Sequence, residues 1–418
     1  MGISKRVALN TDRKNYLPLV AVLLGVLLLA SCSSSLDDET SVLLIQDDES
    51  LYSMSLDDRK RTELFEAGEE EDDKPLTSRQ PETVSSFQLG RFSPSPNGSS
   101  ILMIADRDNE ENLYVLDDGG TDLTQLTYFD QDAYIQSWNV SWSSDGDRIL
   151  LIASEDNEEN LYVVDNDGSD FIQVTFLDDS QDLYQADWLI GKDRILLAAT
   201  DDGESNLYAV DSDGANLSQI TFFDDSITLW SFEISTGGKK ILLNLGEGGE
   251  DKLYVMDLDG GNLSEVVSAV GDTQIWNARF SPNGDQIMFI LEDETKDTLY
   301  VMDANGSNLR DIVSINKSES KSPWSTVLGS ATYSHTGDRI SFVAEVNDER
   351  NLYVVDNNGA NLTQLTSNDD IETLGNGGFS PTGKHILFDW GGELRIFDFL
   401  KNQEMSIGKS SYAVWANA

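Results

Sequence analysis

The dipeptide Leu-Tyr recurs at a near-regular interval along the chain, at Leu113-Tyr114, Leu161-Tyr162, Leu207-Tyr208, Leu253-Tyr254, Leu299-Tyr300 and Leu352-Tyr353. The tyrosines are spaced by 48, 46, 46, 46 and 53 residues. A chain with such a period is confined to repeat architectures, in which each unit buries its apolar faces only against its neighbours. The unit is clearest over residues 135–175. An aromatic-rich segment ends in Trp142 and is followed by the turn Ser143-Ser144-Asp145-Gly146-Asp147. Apolar residues fill 148–154, acidic residues fill 155–159, and Asn160-Leu161-Tyr162-Val163-Val164-Asp165 leads into a second Gly turn and a polar fourth segment at 171–175.

These are four short strands joined by three turns. The first turn varies around Ser281-Pro282-Asn283-Gly284 and Ser380-Pro381-Thr382-Gly383, where Pro presets φ and Gly accepts a positive one. In Leu161-Tyr162-Val163-Val164 both alternating faces are apolar, so this strand is expected to be covered on both sides. The fourth strand, as in Leu362-Thr363-Gln364-Leu365-Thr366, is more polar and reads as an outer edge. Four-stranded antiparallel blades stacked radially satisfy all of this, and the expected fold is an all-β propeller. An aromatic before the first turn marks each unit, at Phe92, Trp142, Trp188, Phe232, Phe280, Tyr333 and Phe379. Residues 41–65 supply three further strands and 411–417 a lone first strand, with Trp415 in the place of Trp142 and Trp188. Joined, they make a closing blade and bring the count to eight. Seven is the alternative if residues 41–80 are disordered. Residues 66–83 read as an acidic linker within the ring, and 314–326 as a longer interblade loop.

The units resemble the WD-like repeats of TolB-type propellers. Phe280-Ser281-Pro282-Asn283-Gly284 with Leu299-Tyr300-Val301-Met302-Asp303 matches that pattern, as do Phe379-Ser380-Pro381-Thr382-Gly383 and Leu253-Tyr254-Val255-Met256-Asp257. The likeness covers about residues 41–417 and implies fold more than function. TolB itself implies a periplasmic partner of a peptidoglycan-associated lipoprotein. This chain is expected to differ, with no α/β domain ahead of the propeller and no hydrolase domain behind it. The first 31 residues read as a bacterial lipoprotein signal peptide. Lys5, Arg6, Arg13 and Lys14 precede the apolar stretch 17–29, and Leu29-Ala30-Ser31-Cys32 resembles a lipobox. Cys32 is then the lipidated residue and 32–40 a polar tether, placing the protein outside the cytoplasm on a bacterial membrane. In a Gram-negative host, Ser33 after the Cys favours the outer membrane or cell surface.

Composition narrows the function. With 75 acidic and 28 basic residues the formal charge is −47, and loss of the first 31 residues takes it to −50. Such a chain is not expected to bind nucleic acid. One Cys and two His leave no disulfide, no Cys-based zinc site and little room for a His-dependent triad. His335 stands in a first turn and His385 before a second strand, both ordinary positions. No nucleophile elbow or phosphate loop is present, so the chain is expected not to be an enzyme and to need no cofactor. The third turns carry Asp165, Asp167, Asp211, Asp213, Asp257 and Asp259 in a spacing reminiscent of calcium loops, but they are shorter and lack the closing bidentate carboxylate. Turn capping is the simpler reading, with calcium the weaker one.

Propeller connectivity puts the hairpin between second and third strands on the same side as the link to the next blade. Both sets are acidic. The links carry Asp130, Asp132, Asp178, Asp179, Asp224, Asp225, Asp369 and Asp370, and the hairpins carry sequences such as Asp201-Asp202-Gly203-Glu204. One face of the disc is therefore expected to bind an envelope protein or a cationic ligand, the competing reading being acidity spread for solubility or high salt. The expected function is a monomeric, lipid-anchored binding or scaffolding module. The alternatives are a carboxylate-based lyase or glycan hydrolase acting in the channel, favoured by inward His, Arg or Tyr, and a structural surface lipoprotein. Trp138, Trp142, Trp188, Trp230 and Trp276, near first strands, read as core.

Overall fold

The computed structural model describes residues 42–416, apart from 67–86, 318–327, 368–377 and short gaps at 48–49, 57–59, 108, 156–157, 179–180, 192, 347–348, 391 and 410–411. Cys32, the leader, the tether and most of the acidic linker lie outside the described residues, as do Asp179, Asp369 and Asp370.

Eight antiparallel sheets form an eight-bladed β-propeller. Blade 1 is the closing blade. Its inner strand is Tyr412–Ala416, paired with Val42–Asp47, then Ser50–Ser55 and Arg61–Glu66. Blade 2 begins at Phe87, blade 3 at Tyr134, blade 4 at Gln181, blade 5 at Ile227, blade 6 at Gln274, blade 7 at Leu328 and blade 8 at Gly378. The inner strand of blade 3 is broken into Tyr134–Ile135 and Ser141–Trp142 by a short helical turn, Ser137–Asn139.

The third strands are apolar on both faces because they serve two cores. Tyr162 and Val164 pack with Leu102, Ile104, Leu113 and Val115 of blade 2. Leu161 and Val163 pack with Ile195, Leu197 and Val210 of blade 4. Burying one such aliphatic side chain stabilises by ~1.5–3 kcal/mol. The fourth strands are mostly short pieces, such as Ile172–Gln173 and Ser218–Gln219, and half-buried or exposed, as an outer rim requires. Gly168 adopts φ of +79° in its third turn, a value that strains any residue with a Cβ.

Two of the expected turn markers are displaced. Trp142, Trp188, Phe280, Tyr333 and Phe379 pair with Ile149, Ile195, Ile287, Ile340 and Ile386. In blades 2 and 5 the residues in that register are Pro94 and Ile234, opposite Ile101 and Ile241. Phe92 and Phe232 lie two positions earlier. They still face the core, at 3% and 4% exposed, because a shift of two preserves the face.

The closing strand repeats the stitch used elsewhere in the ring. The Trp142 and Trp188 indoles donate to Ser93 O (3.4 Å) and Ser141 O (3.3 Å), each one residue before the register-equivalent position of the preceding blade. Trp415 donates to Gly378 O at 3.0 Å, in the same relation to Phe379.

Candidate functional site

The link side of the disc is built by two recurring devices. The first is a clamp on the outgoing segment, found in four of the units. In blade 2, Asn112 is 1% exposed. Its Oδ1 accepts from Thr127 Oγ1 (2.9 Å) and Phe129 N (2.7 Å), its Nδ2 donates to Phe129 O (3.2 Å), and Thr127 Oγ1 accepts from Leu113 N (2.9 Å). Asn206 with Thr221 repeats all of this in blade 4, Asn160 with Thr175 all but the Nδ2 donation in blade 3, and Asn351 with Thr366 the Thr contacts in blade 7. Neither the Asn ahead of Leu-Tyr nor the distant Thr was identified as a pair from sequence, although the recurring Asn-Leu-Tyr was the available signal.

After the clamp the chain turns at an Asp. The carbonyls of Asp130, Asp178 and Asp224 accept from Ala133 N (3.1 Å), Gln181 N (2.9 Å) and Ile227 N (3.1 Å). An Asp at the first turn position has a local reason to be there. The side chains of Asp130, Asp132, Asp178, Asp224 and Asp225 are all exposed. Asp224 Oδ1 accepts from Ser226, which holds its carboxyl below the usual range.

The second device ties the acidic hairpins to the same side. Glu111, Asp251 and Asp297, each two residues before the Leu of Leu-Tyr, accept from Ile135 N (3.0 Å), Ile275 N (2.9 Å) and Leu328 N (3.1 Å) at the start of the next inner strand. Hairpin and link are thus neighbours. Among the described residues, the ion pairs of these hairpins lie in blades 5–8: Lys252–Glu247 (2.8 Å), Lys317–Glu292 (2.6 Å), Arg350–Glu345 (3.8 Å) and Arg395–Glu393 (2.6 Å). On the opposite side, cross-strand or interblade bases answer acids already in blades 3–5, through Arg148–Asp193 (2.7 Å), Arg194–Asp211 (2.9 Å) and Lys240–Asp257 (2.7 Å).

The third-turn carboxylates do turn work. Asp167, Asp213 and Asp259 Oδ1 accept from the backbone N–H of Ser169 (2.9 Å), Ala215 (2.9 Å) and Gly261 (3.0 Å). Asp165 accepts from Ser169 Oγ (3.3 Å), and Asp211 and Asp257 from Asn216 and Asn262 (both 2.6 Å). Among the described residues, no group of three or more His, Cys, Asp or Glu is placed to hold a metal ion.

The inner strands bring together charged groups that sequence reading did not single out. Asp187, Glu233 and Arg279 come from blades 4, 5 and 6 and occupy one register, directly before Trp188, Ile234 and Phe280. They keep part of their surface open while lying deep between blades, as residues along a narrow axial channel do. Burial pushes the Glu233 carboxyl up to about 7, against the Arg279 charge and the Phe280 N–H it accepts at 2.8 Å. Burial pushes Asp187 up to about 6. Tyr333 is raised by burial, with Glu233 adding to the rise. Neighbouring inner strands are also stitched by neutral groups. Gln185 holds Phe232 N and O (3.0 and 2.7 Å), and Asn139 holds Tyr184 O and Ala186 N (3.0 and 3.3 Å). Of the five tryptophans expected in the core, Trp142 and Trp188 are buried, Trp276 is half-buried, and Trp138 and Trp230 are 38% and 56% exposed.

Residues 131–328 match the family model of the TolB beta propeller domain. No curated protein matches the chain. Among solved structures, dipeptidyl peptidase 4 of Porphyromonas gingivalis is similar at 13% identity with a TM-score of 0.61, over 89% of this chain and 59% of that one. An oligogalacturonate lyase of Vibrio parahaemolyticus is similar at 12% identity and a TM-score of 0.56, over 84% of this chain and 94% of that one. An oligogalacturonate lyase in complex with manganese is similar at 13% identity and a TM-score of 0.53, over 77% and 86%. At these identities the likeness is one of fold.

Proposed function

We propose that this chain, a TolB-like β-propeller, is a non-catalytic binding or scaffolding module of the bacterial cell envelope. It works outside the cytoplasm, tethered through Cys32, and its link-side face takes a basic envelope protein or cationic ligand. The observation that carries this reading is the charge distribution. The exposed link carboxylates Asp130, Asp132, Asp224 and Asp225 stand beside acidic hairpins on one side, while the hairpin ion pairs among the described residues lie in blades 5–8. A cluster of like charge left unneutralised attracts and orients an oppositely charged partner. The test is a low-salt pull-down from envelope extract with the wild type and with D130N/D132N/D224N/D225N. The variant is expected to lose partners that the wild type retains, and an unchanged partner set would sink the idea.

A second reading, an enzyme working in the channel, is favoured by Asp187 and Glu233, two enclosed carboxyls that titrate near neutrality. The oligogalacturonate lyases among the fold neighbours make acidic oligosaccharides the substrate to try. Turnover abolished by E233Q would establish it. The binding reading is preferred because Glu233 Oε2 is already engaged by Phe280 N–H, in the same kind of stitch that Gln185 makes without a charge.

A further inference from the structure

The links of blades 2–4 share a property that acidity does not explain. Their sequences are Thr127-Tyr128-Phe129-Asp130, Thr175-Phe176-Leu177-Asp178 and Thr221-Phe222-Phe223-Asp224. Tyr128, Phe176 and Phe222 are 80%, 79% and 79% exposed. The backbone on either side of each ring is held, and the Tyr128 hydroxyl donates to Gln125 O at 3.5 Å. The flanking Thr127 and Phe129, and Thr221 and Phe223, are buried and held by the Asn clamps, and Thr175 and Leu177 are held by Asn160. Backbone alternation then throws the middle residue outward. The clamp does not itself require a ring. Blade 7 has the same Asn–Thr contact, Asn351 with Thr366, and presents an exposed Ser367. Three rings on clamped backbone therefore stand at equivalent positions of consecutive blades, each two residues ahead of an exposed Asp. They lie in the sector whose hairpin acids have no ion pair among the described residues.

We propose that this row is a docking strip for an extended, arginine- or lysine-rich segment of a partner protein. Its cationic side chains lie over the rings and pair with the adjacent carboxylates. The strip rests on the binding-module reading above and names its partner's chemistry. A guanidinium or ammonium gains from a ring face and a carboxylate together, and backbone already clamped needs no further ordering on binding. An anionic lipid surface would be repelled by the acids beside each ring. A neutral sugar would stack on the rings but gain little from a formal charge at every step.

The probe is a labelled Arg-Gly repeat peptide, titrated into the full-length protein in detergent by fluorescence anisotropy, with a Glu-Gly repeat as control. The ring variant is Y128S/F176S/F222S and the acid variant D130N/D132N/D224N/D225N. All seven side chains are exposed, so the variants are expected to melt as the wild type does. The strip predicts that the Arg-Gly peptide binds and the Glu-Gly peptide does not. It also predicts that the ring variant binds about tenfold more weakly than the wild type at equal salt. A ring variant that binds as the wild type does, while the acid variant loses affinity, overturns the strip and leaves the basic-partner reading standing. Absence of Arg-Gly binding by the wild type, or full binding by both variants, overturns both. Ring-dependent binding of neutral oligosaccharides or anionic vesicles in place of the peptide also overturns the strip.

Discussion

At the scale of single residues, the chain puts polar side chains where backbone needs them and keeps them neutral where it can. Asn112, Asn160, Asn206 and Asn351 satisfy clamp backbone without a charge, and Gln185 and Asn139 do the same between inner strands. Glu233 does this work with a titratable group. Its carboxyl is near 7 in the folded protein against 4.5 when free, so folding favours the protonated acid. The stability this contributes is full below about pH 4.5 and is lost as pH rises through about 7. E233Q should remove roughly 1–3 kcal/mol of that pH-dependent loss. Urea unfolding at pH 5 and pH 7.5 reads it directly. The wild type should lose stability between the two and the variant should lose less, the remaining slope belonging in part to Asp187. Equal slopes in both proteins would contradict the assignment.

At the scale of elements, the decisive piece is the last strand. Tyr412–Ala416 supplies the inner position of a blade whose other three strands begin at Val42, and Trp415 makes the stitch that Trp142 and Trp188 make in their own blades. Trp415 also packs with Leu43, Leu387 and Ile396, bridging blades 1 and 8. W415A should cost about 3–5 kcal/mol, visible as a lower thermal midpoint with the propeller intact at room temperature. Removing 411–418 should do more, because it leaves Val42–Asp47 as an open edge, and the expected result is self-association by light scattering. A monomeric truncation with an unchanged midpoint would show that the ring closes without the strand.

At the scale of the whole molecule, charge works against compactness. A formal charge of −47 on one chain repels itself, and the structure answers part of it locally with cross-strand pairs such as Arg194–Asp211 and Lys240–Asp257. What remains is long-range repulsion that salt screens, over ~10 Å at 0.1 M and ~3 Å at 1 M. The thermal midpoint should therefore rise as NaCl is raised between these limits, while Arg-Gly binding weakens over the same range. A midpoint that is flat or falls with salt would mean that the acids are spaced widely enough not to matter.

The sequence alone determined the architecture. A period near 46 residues, strands apolar on both faces, Gly turns and two matching terminal fragments admit few solutions other than a closed ring of eight blades, since each blade must bury both faces against a neighbour. It also determined that hairpins and links share a side, as they do in any four-stranded antiparallel blade. It could not set the register of each strand against its turn, so Phe92 and Phe232 were taken for positions that belong to Pro94 and Ile234. Nor could it find contacts made across long stretches of chain. Asn112 meets Thr127 only when the outer strand returns, and Asp187, Glu233 and Arg279 share a channel only because three blades place their inner strands side by side. Exposure was decided last of all. Tyr128, Phe176 and Phe222 look in sequence like any apolar residue of a strand end, and only the folded clamp, which turns both neighbours inward, leaves the ring between them facing water.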